Sequence, residues 1–76
     1  MNNLNYSVIF QPEPEGGYTA IVPALPGCIS YGKTVEKARE MISEAISLYL
    51  ETLEEHNQPI PKESVSPLIS SVLVKK

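Results

Sequence analysis

The chain has 76 residues, 42% of them apolar, which predicts one globular domain over residues 1–76 and no second domain. The net charge is −3 at pH 7 with only six lysine and arginine residues, which disfavours direct binding of nucleic acid by a single chain. One cysteine excludes an internal disulfide, and neither a secretory leader pattern nor an apolar run of about 20 residues is present, so we expect a cytoplasmic protein without a membrane segment.

Three strands are predicted in the first half of the chain. Apolar and polar residues alternate over residues 4–11, and a loop rich in proline and glycine follows over residues 12–17. Aromatic and β-branched residues predict a second strand over residues 18–22 and a short third strand over residues 28–31. The short loops between them favour an antiparallel meander.

A long amphipathic helix is predicted to begin after Thr34, a residue type that caps helix N-termini well, and to run to about His56. Asn57 suits a left-handed C-cap, and Pro59 prevents continuation. Apolar residues recur at spacings of three and four along it: Val35, Ala38, Ile42, Ala45, Ile46, Tyr49, Leu50 and Leu53.

The apolar residues 68–74 predict a fourth strand after a proline-containing loop. The predicted fold class is therefore α+β, with the order β-β-β-α-β and an antiparallel sheet that packs one long helix on one face.

All nine acidic residues are glutamate, and six of them lie on the predicted helix. An ordinary solubilising face explains this pattern, but like charges four residues apart weaken a helix, so a docking face for a basic partner is the alternative. The residues predicted for that docking face are Glu40, Glu44 and Glu51.

The sequence predicts no catalytic residue, metal ligand or cofactor. Cys28 and His56 are the only residues of their types, and their spacing does not indicate a catalytic pair. We interpret Cys28 as a packed core thiol and His56 as a helix-capping side chain. The run Gly32–Lys33–Thr34 before the helix leaves an anion site open as an alternative. Such a site would be weak, because no glycine-rich loop precedes it.

A series of linked motifs covers most of the chain. It reads G-Y, then V-P-x-L-P-G-C, then G-x-T-x-E-x-A, and continues into E-A-I-x-x-Y-L at residues 44–50. The matching positions before that last segment, which we interpret as mainly structural, are Gly17, Tyr18, Pro23, Leu25, Pro26, Gly27, Cys28, Gly32, Thr34, Glu36 and Ala38. This series resembles the HicB-like antitoxin family. Ala24 and Lys33 depart from it, because aspartate is frequent at both positions.

The resemblance implies a partial RNase H-like fold without the nuclease's acidic site, which agrees with the absence of aspartate. It also implies a HicA-like toxin as partner: a small, basic protein that cleaves mRNA and is blocked by the antitoxin. Many family members carry a C-terminal DNA-binding segment. Because this sequence ends directly after the predicted fourth strand, we expect no separate DNA-binding domain.

Three functional hypotheses follow. The first is an antitoxin-type binding module that neutralises a HicA-like toxin and is not an enzyme. The alternative is a stand-alone homo-oligomeric domain that binds another protein or a small ligand, and the third is a nuclease remnant. A small core and open sheet edges also predict a homodimer or homotetramer.

Overall fold

The computed structural model describes residues 4–63, 68 and 70–75 of the chain. Within them, three strands precede one helix: β1 (Ile9–Pro12), β2 (Tyr18–Ile21), β3 (Ile29–Gly32) and α1 (Val35–Glu55). The predicted α+β class and the order of three strands followed by a helix are confirmed. The first strand is shorter than predicted, since its regular pairing starts only at Ile9.

The strands form an antiparallel sheet in the order β1-β2-β3. Because side chains alternate along a strand, each cross-strand row faces one side of the sheet. The row Phe10, Ala20, Ser30 faces the helix, as the burial of Ala20 shows. The neighbouring row of Ile9, Ile21 and Ile29 therefore faces the opposite side, which we call the open face.

Helix α1 begins and ends as the sequence predicts. The Oγ1 of Thr34 accepts a hydrogen bond of 3.0 Å from the N–H of Lys37, which satisfies one of the unpaired donors of the first turn. His56 is the C-cap, and Asn57 adopts the left-handed conformation with φ of 55°. With 21 residues, the helix is about 32 Å long at 1.5 Å per residue.

The core lies between α1 and the sheet, with the helix packed mainly on β3 and β2. Its buried members are Ala20, Val22, Leu25, Cys28, Ala38 and Ile42. Half-buried apolar side chains of the N-terminal segment, including Tyr6, Val8 and Phe10, extend this core toward β1. The helix thus covers one face of the sheet, as predicted, and leaves the open face without a helix.

After α1 the chain returns to the segment that precedes β1. The hydroxyl of Tyr6 donates a 2.5 Å hydrogen bond to the carbonyl of Pro61. The carboxylate of Glu63 accepts two hydrogen bonds from Ser7, one from the backbone N–H at 2.7 Å and one from Oγ at 2.6 Å. These contacts place the start of the C-terminal segment beside the β1 side of the sheet.

The predicted fourth strand is wrong for the part that the structure describes; residue 69 lies outside the described residues. Residues 68 and 70–74 are not in a strand, and the exposed fractions of Leu68 and Leu73 are 93% and 99%. An extended apolar segment becomes a strand only where a neighbouring strand supplies hydrogen-bond partners. Among the described residues of this single chain, none pairs with it.

Candidate protein-binding surface

The three glutamates predicted as a docking face lie on one exposed side of α1. Glu40, Glu44 and Glu51 are all exposed, and their spacings of four and seven residues bring them to the same side of the helix. The buried residues Ala38 and Ile42 lie on a different side, against the sheet. The structure therefore brings these glutamates together into one surface, which we call the acidic face.

The charge of the acidic face is only weakly compensated. Lys37 Nζ lies 3.2 Å from Glu40 Oε1, but both side chains are more than half exposed, so the pair contributes little stability. Glu40 and Glu44 repel each other at a spacing of four residues. Helix α1 has no basic residue in its last turn. The acidic face is complementary to a positively charged partner.

Several motif residues build the loop between β2 and β3. The N–H of Leu25 donates to the carbonyl of Val22 at 3.0 Å, and the N–H of Cys28 donates to the carbonyl of Leu25 at 2.9 Å. The side chain of Leu25 is fully buried in the core, and Gly27 has φ of 84°. The five motif positions named above that lie in this loop are Pro23, Leu25, Pro26, Gly27 and Cys28. This loop is tied to α1 because the hydroxyl of Tyr49 donates to the carbonyl of Pro26 at 2.9 Å.

Gly17 and Gly32 are motif positions where the chain makes close approaches. A Cβ on Gly17, which has φ of 83°, would overlap the hydroxyl and ring of Tyr31. A Cβ on Gly32 would lie 2.6 Å from the Cα of Ala38, so glycine allows the first turn of α1 to pack on β3. Tyr18 packs against the core, Thr34 caps the helix, and Glu36 lies in its first turn.

Cys28 and His56 occupy the positions that their structural interpretations require. Cys28 is 3% exposed, and burial raises the pKa of its thiol, so the reactive thiolate is disfavoured. His56 is the exposed C-cap of α1. The N–H of Lys37 is already bonded to Thr34, and nothing further supports an anion site there.

Within residues 4–63, 68 and 70–75, no group of three histidine, cysteine or acidic side chains is placed to hold a metal ion. Among the same residues, no helix is long and apolar enough to span a bilayer.

Sequence reasoning missed an apolar groove between β3 and α1, with a volume of about 320 Å³. Leu48, at its edge, is 65% exposed. The groove is lined chiefly by Cys28, Ile29, Ala45, Leu48, Tyr49 and Leu53. The position of Leu48 on the flank of the apolar stripe was a signal for this groove, but the sequence does not reveal that the edge of β3 lies beside that flank.

A family model described as "HicB_like antitoxin of bacterial toxin-antitoxin system" matches residues 6–72. The chain belongs to this family. A UPF0150 protein of Synechocystis sp. is 47% identical over 92% of this chain and 89% of its own length. A UPF0150 protein of Thermoplasma acidophilum is 42% identical over 86% of this chain and 94% of its own length.

One relative whose name states a function matches this chain over less than half of its own length. The protein named Antitoxin HicB 1 of Photorhabdus laumondii is 36% identical over 80% of this chain but only 39% of its own length. Membership of the HicB-like family supports an antitoxin-type role for this chain, and that role generally involves a toxin as partner. The family resemblance inferred from the motif series is confirmed.

Proposed function

We propose that this HicB-like chain binds and neutralises a small, basic, mRNA-cleaving toxin of the HicA type. The observation that carries this proposal is the acidic face of Glu40, Glu44 and Glu51, which is exposed and only weakly compensated. A basic toxin supplies the opposite charge, and complementary charge accelerates association and selects the partner.

The energetics of the helix favour this use of the acidic face. Like charges four residues apart destabilise a helix by about 0.2–0.5 kcal/mol for each pair. A partner that presents lysine or arginine side chains relieves this repulsion on binding. The chain therefore gains favourable contacts with the toxin and loses an unfavourable interaction within its own helix.

The proposal includes a cellular setting and a mode of action. Residues 1–76 act as one domain in the cytoplasm, where mRNA is available to the toxin. Inhibition proceeds by binding, without catalysis, a cofactor or direct contact between this chain and nucleic acid. A cleavage assay with divalent metal on RNA and on an RNA–DNA hybrid should give no product above background, and metal-dependent cleavage would contradict this mode of action.

Co-expression tests the proposal directly. The toxin encoded beside this gene should arrest growth when expressed alone, and expression of this chain should restore growth. The two proteins should also copurify. The absence of both rescue and complex would contradict the proposal.

Charge reversal tests the acidic face itself. The combined substitutions Glu40→Lys, Glu44→Lys and Glu51→Lys should weaken toxin binding about 10–100-fold, mainly through a slower association rate. The wild-type association rate should also fall steeply with salt. Each single reversal is compared with Glu15→Lys, which makes the same charge change at an exposed loop position and should have little effect. Equal effects at Glu15 and Glu44 would exclude docking at this face.

We also propose that the chain self-associates as a homodimer or homotetramer. Among the described residues no strand pairs with the outer edge of β1 or of β3, and a chain of this size buries a small core. The apolar groove beside β3 favours the second candidate function, a stand-alone oligomer that binds another protein or a small ligand. The absence of a small basic reading frame next to this gene would favour that candidate.

A further inference from the structure

We call residues 68–75 the C-terminal apolar segment, and its described residues, 68 and 70–75, are exposed in the single chain. The exposed fractions are 83% for Val72, 99% for Leu73 and 72% for Val74. Contiguous apolar side chains that remain in water indicate an interaction site, since burying them is favourable. Their composition is also typical of a strand.

The outer edge of β3 offers hydrogen-bonding groups to such a strand. The N–H of Val22 donates to the carbonyl of Cys28 at 3.2 Å, so Val22 and Cys28 form a hydrogen-bonded pair between β2 and β3. In an antiparallel ladder such pairs recur at every second residue, and the next one is Ala20 with Ser30. The intervening residues Ile29 and Tyr31 therefore direct their backbone N–H and C=O groups away from β2. In the described part of the chain, no strand lies beyond them.

The outer edge of β1 is less suited than that of β3 to pairing with an added strand. The N–H of Glu13 donates to the carbonyl of Gly17 at 3.0 Å, so the hydrogen-bonded pairs between β1 and β2 include Glu13 and every second residue before it. The intervening residues Phe10 and Pro12 therefore direct their backbone groups away from β2. Proline has no N–H to donate, so β1 offers one outward donor within its bounds whereas β3 offers two.

Both faces of the sheet carry apolar surface beside the start of β3. Ile29 ends the isoleucine row of the open face and is 56% exposed. On the helix side, the apolar groove adjoins the start of this strand, where Cys28 lines it. A strand added here needs apolar side chains on both of its faces. The C-terminal apolar segment has them, because Val72 and Val74 share one face and Leu73 lies on the other.

Charge also matches between the two surfaces. Lys75 and Lys76 follow the apolar residues directly. On α1, Glu44 precedes Leu48 by one helical turn and Glu55 lies two turns beyond it, so both carboxylates lie on the flank that borders the groove. The basic end of the segment thus carries the charge opposite to that of this acidic flank.

We propose that the C-terminal apolar segment adds to β3 of a second copy of this chain, and that reciprocal addition forms a homodimer. Glu63, five residues before this segment, is bonded to Ser7 on the β1 side of the sheet, away from that chain's own β3. This inference deepens the proposed self-association and does not depend on toxin binding.

Light scattering on the purified full-length chain tests this inference. The wild type should have twice the 8.4 kDa chain mass at micromolar concentration. Val72→Asn combined with Leu73→Asn should weaken dimerisation at least tenfold, while Ser70→Asn combined with Ser71→Asn, which introduces the same side chains into the same segment, should not. A monomeric wild type, or a dimer that is unchanged by the first variant, would overturn the inference.

A second pair of variants tests the edge. Tyr31→Pro removes an outward N–H and should give a monomer, whereas Tyr31→Ala loses the same phenol ring but keeps the N–H and should remain dimeric. Both variants lose the 2.9 Å hydrogen bond from the Tyr31 hydroxyl to the carbonyl of Gly16, so that loss is matched. Circular dichroism checks that each variant keeps its helix.

Mixing the two defective variants gives the most specific result. The Tyr31→Pro chain keeps an intact segment, and the Val72→Asn, Leu73→Asn chain keeps an intact β3 edge, so one strand addition remains possible between them. A mixed dimer should form although each variant alone is monomeric. The absence of a mixed dimer, or protection of amides 72–74 from hydrogen exchange in a monomer, would show that the segment does not exchange between copies.

Discussion

At the scale of single residues, Gly17 shows how a motif position follows from packing. Its φ is positive, and the ring of Tyr31 occupies the space where a Cβ would lie. We predict that Gly17→Ala destabilises the fold by about 2–3 kcal/mol, because it combines backbone strain with displacement of that ring. Urea unfolding of the purified variant measures the change.

Gly16 provides the matched control for this prediction. It also has positive φ, at 104°, but nothing lies within 4 Å of its Cβ position. Gly16→Ala should therefore cost only the backbone strain, about 1–2 kcal/mol. Adding Tyr31→Ala to Gly17→Ala should recover the difference, and strictly additive losses in the double variant would refute the steric explanation.

The buried thiol of Cys28 should make the stability of the fold depend on pH. Burial raises the pKa of its thiol, so the native chain holds this proton more tightly than the unfolded chain. The resulting stability is fully present below the unfolded pKa of about 8.5 and is lost as the pH rises through the folded pKa. The free energy of unfolding should therefore decline above about pH 8.5 more steeply in the wild type than in Cys28→Ala. Equal slopes for both proteins would contradict this prediction.

At the scale of the helix, Thr34 fixes where α1 begins. Its Oγ1 accepts the N–H of Lys37, and loss of an N-cap of this type costs about 1 kcal/mol. We predict that loss for Thr34→Ala in thermal or urea unfolding. Thr52→Ala is the control, since the Thr52 hydroxyl only donates to the carbonyl of Leu48 within the helix and is exposed. A larger loss at Thr52 than at Thr34 would contradict the capping role.

The other end of α1 is electrostatically unfavourable. Glu54 and Glu55 lie at the negative end of the helix dipole, and the last turn has no basic residue. Glu55→Lys is made in the Val72→Asn, Leu73→Asn background, so that self-association does not contribute. It should stabilise the chain by about 0.5–1 kcal/mol at low salt, because it suits the dipole and creates a favourable pairing with Glu51. Most of this gain should disappear at 1 M salt, and Glu15→Lys should not reproduce it.

The elements also show what could be predicted from the sequence. Helix α1 was predicted nearly to the residue because its periodicity, its cap at Thr34 and its stop at Asn57 are all local signals. The acidic face followed from the same periodicity. The isoleucine row and the groove could not be predicted, because they depend on the register of strands and on where α1 crosses them. The fourth strand failed because strand propensity does not supply a neighbouring edge.

At the scale of the whole molecule, the single chain is less compact than a typical domain of its length. Its radius of gyration is 14.6 Å, compared with about 11 Å for a compact chain of this length. The acidic face includes Glu44, which also lies on the flank of α1 that borders the groove beside β3. The surfaces proposed for toxin binding and self-association therefore adjoin at Glu44, and we expect the two to compete where they share this carboxylate.

If two chains exchange strands, the stability of the molecule must depend on its concentration. A dimer that unfolds to two separate chains gains about 1.4 kcal/mol for every tenfold rise in concentration, or half that for each chain. For a domain of this size the melting temperature should then rise by about 3–6 °C per tenfold increase. Melting curves from micromolar to millimolar chain measure this slope. The Val72→Asn, Leu73→Asn variant should melt at a temperature independent of concentration, and a flat wild-type response would show that folding and association are not coupled.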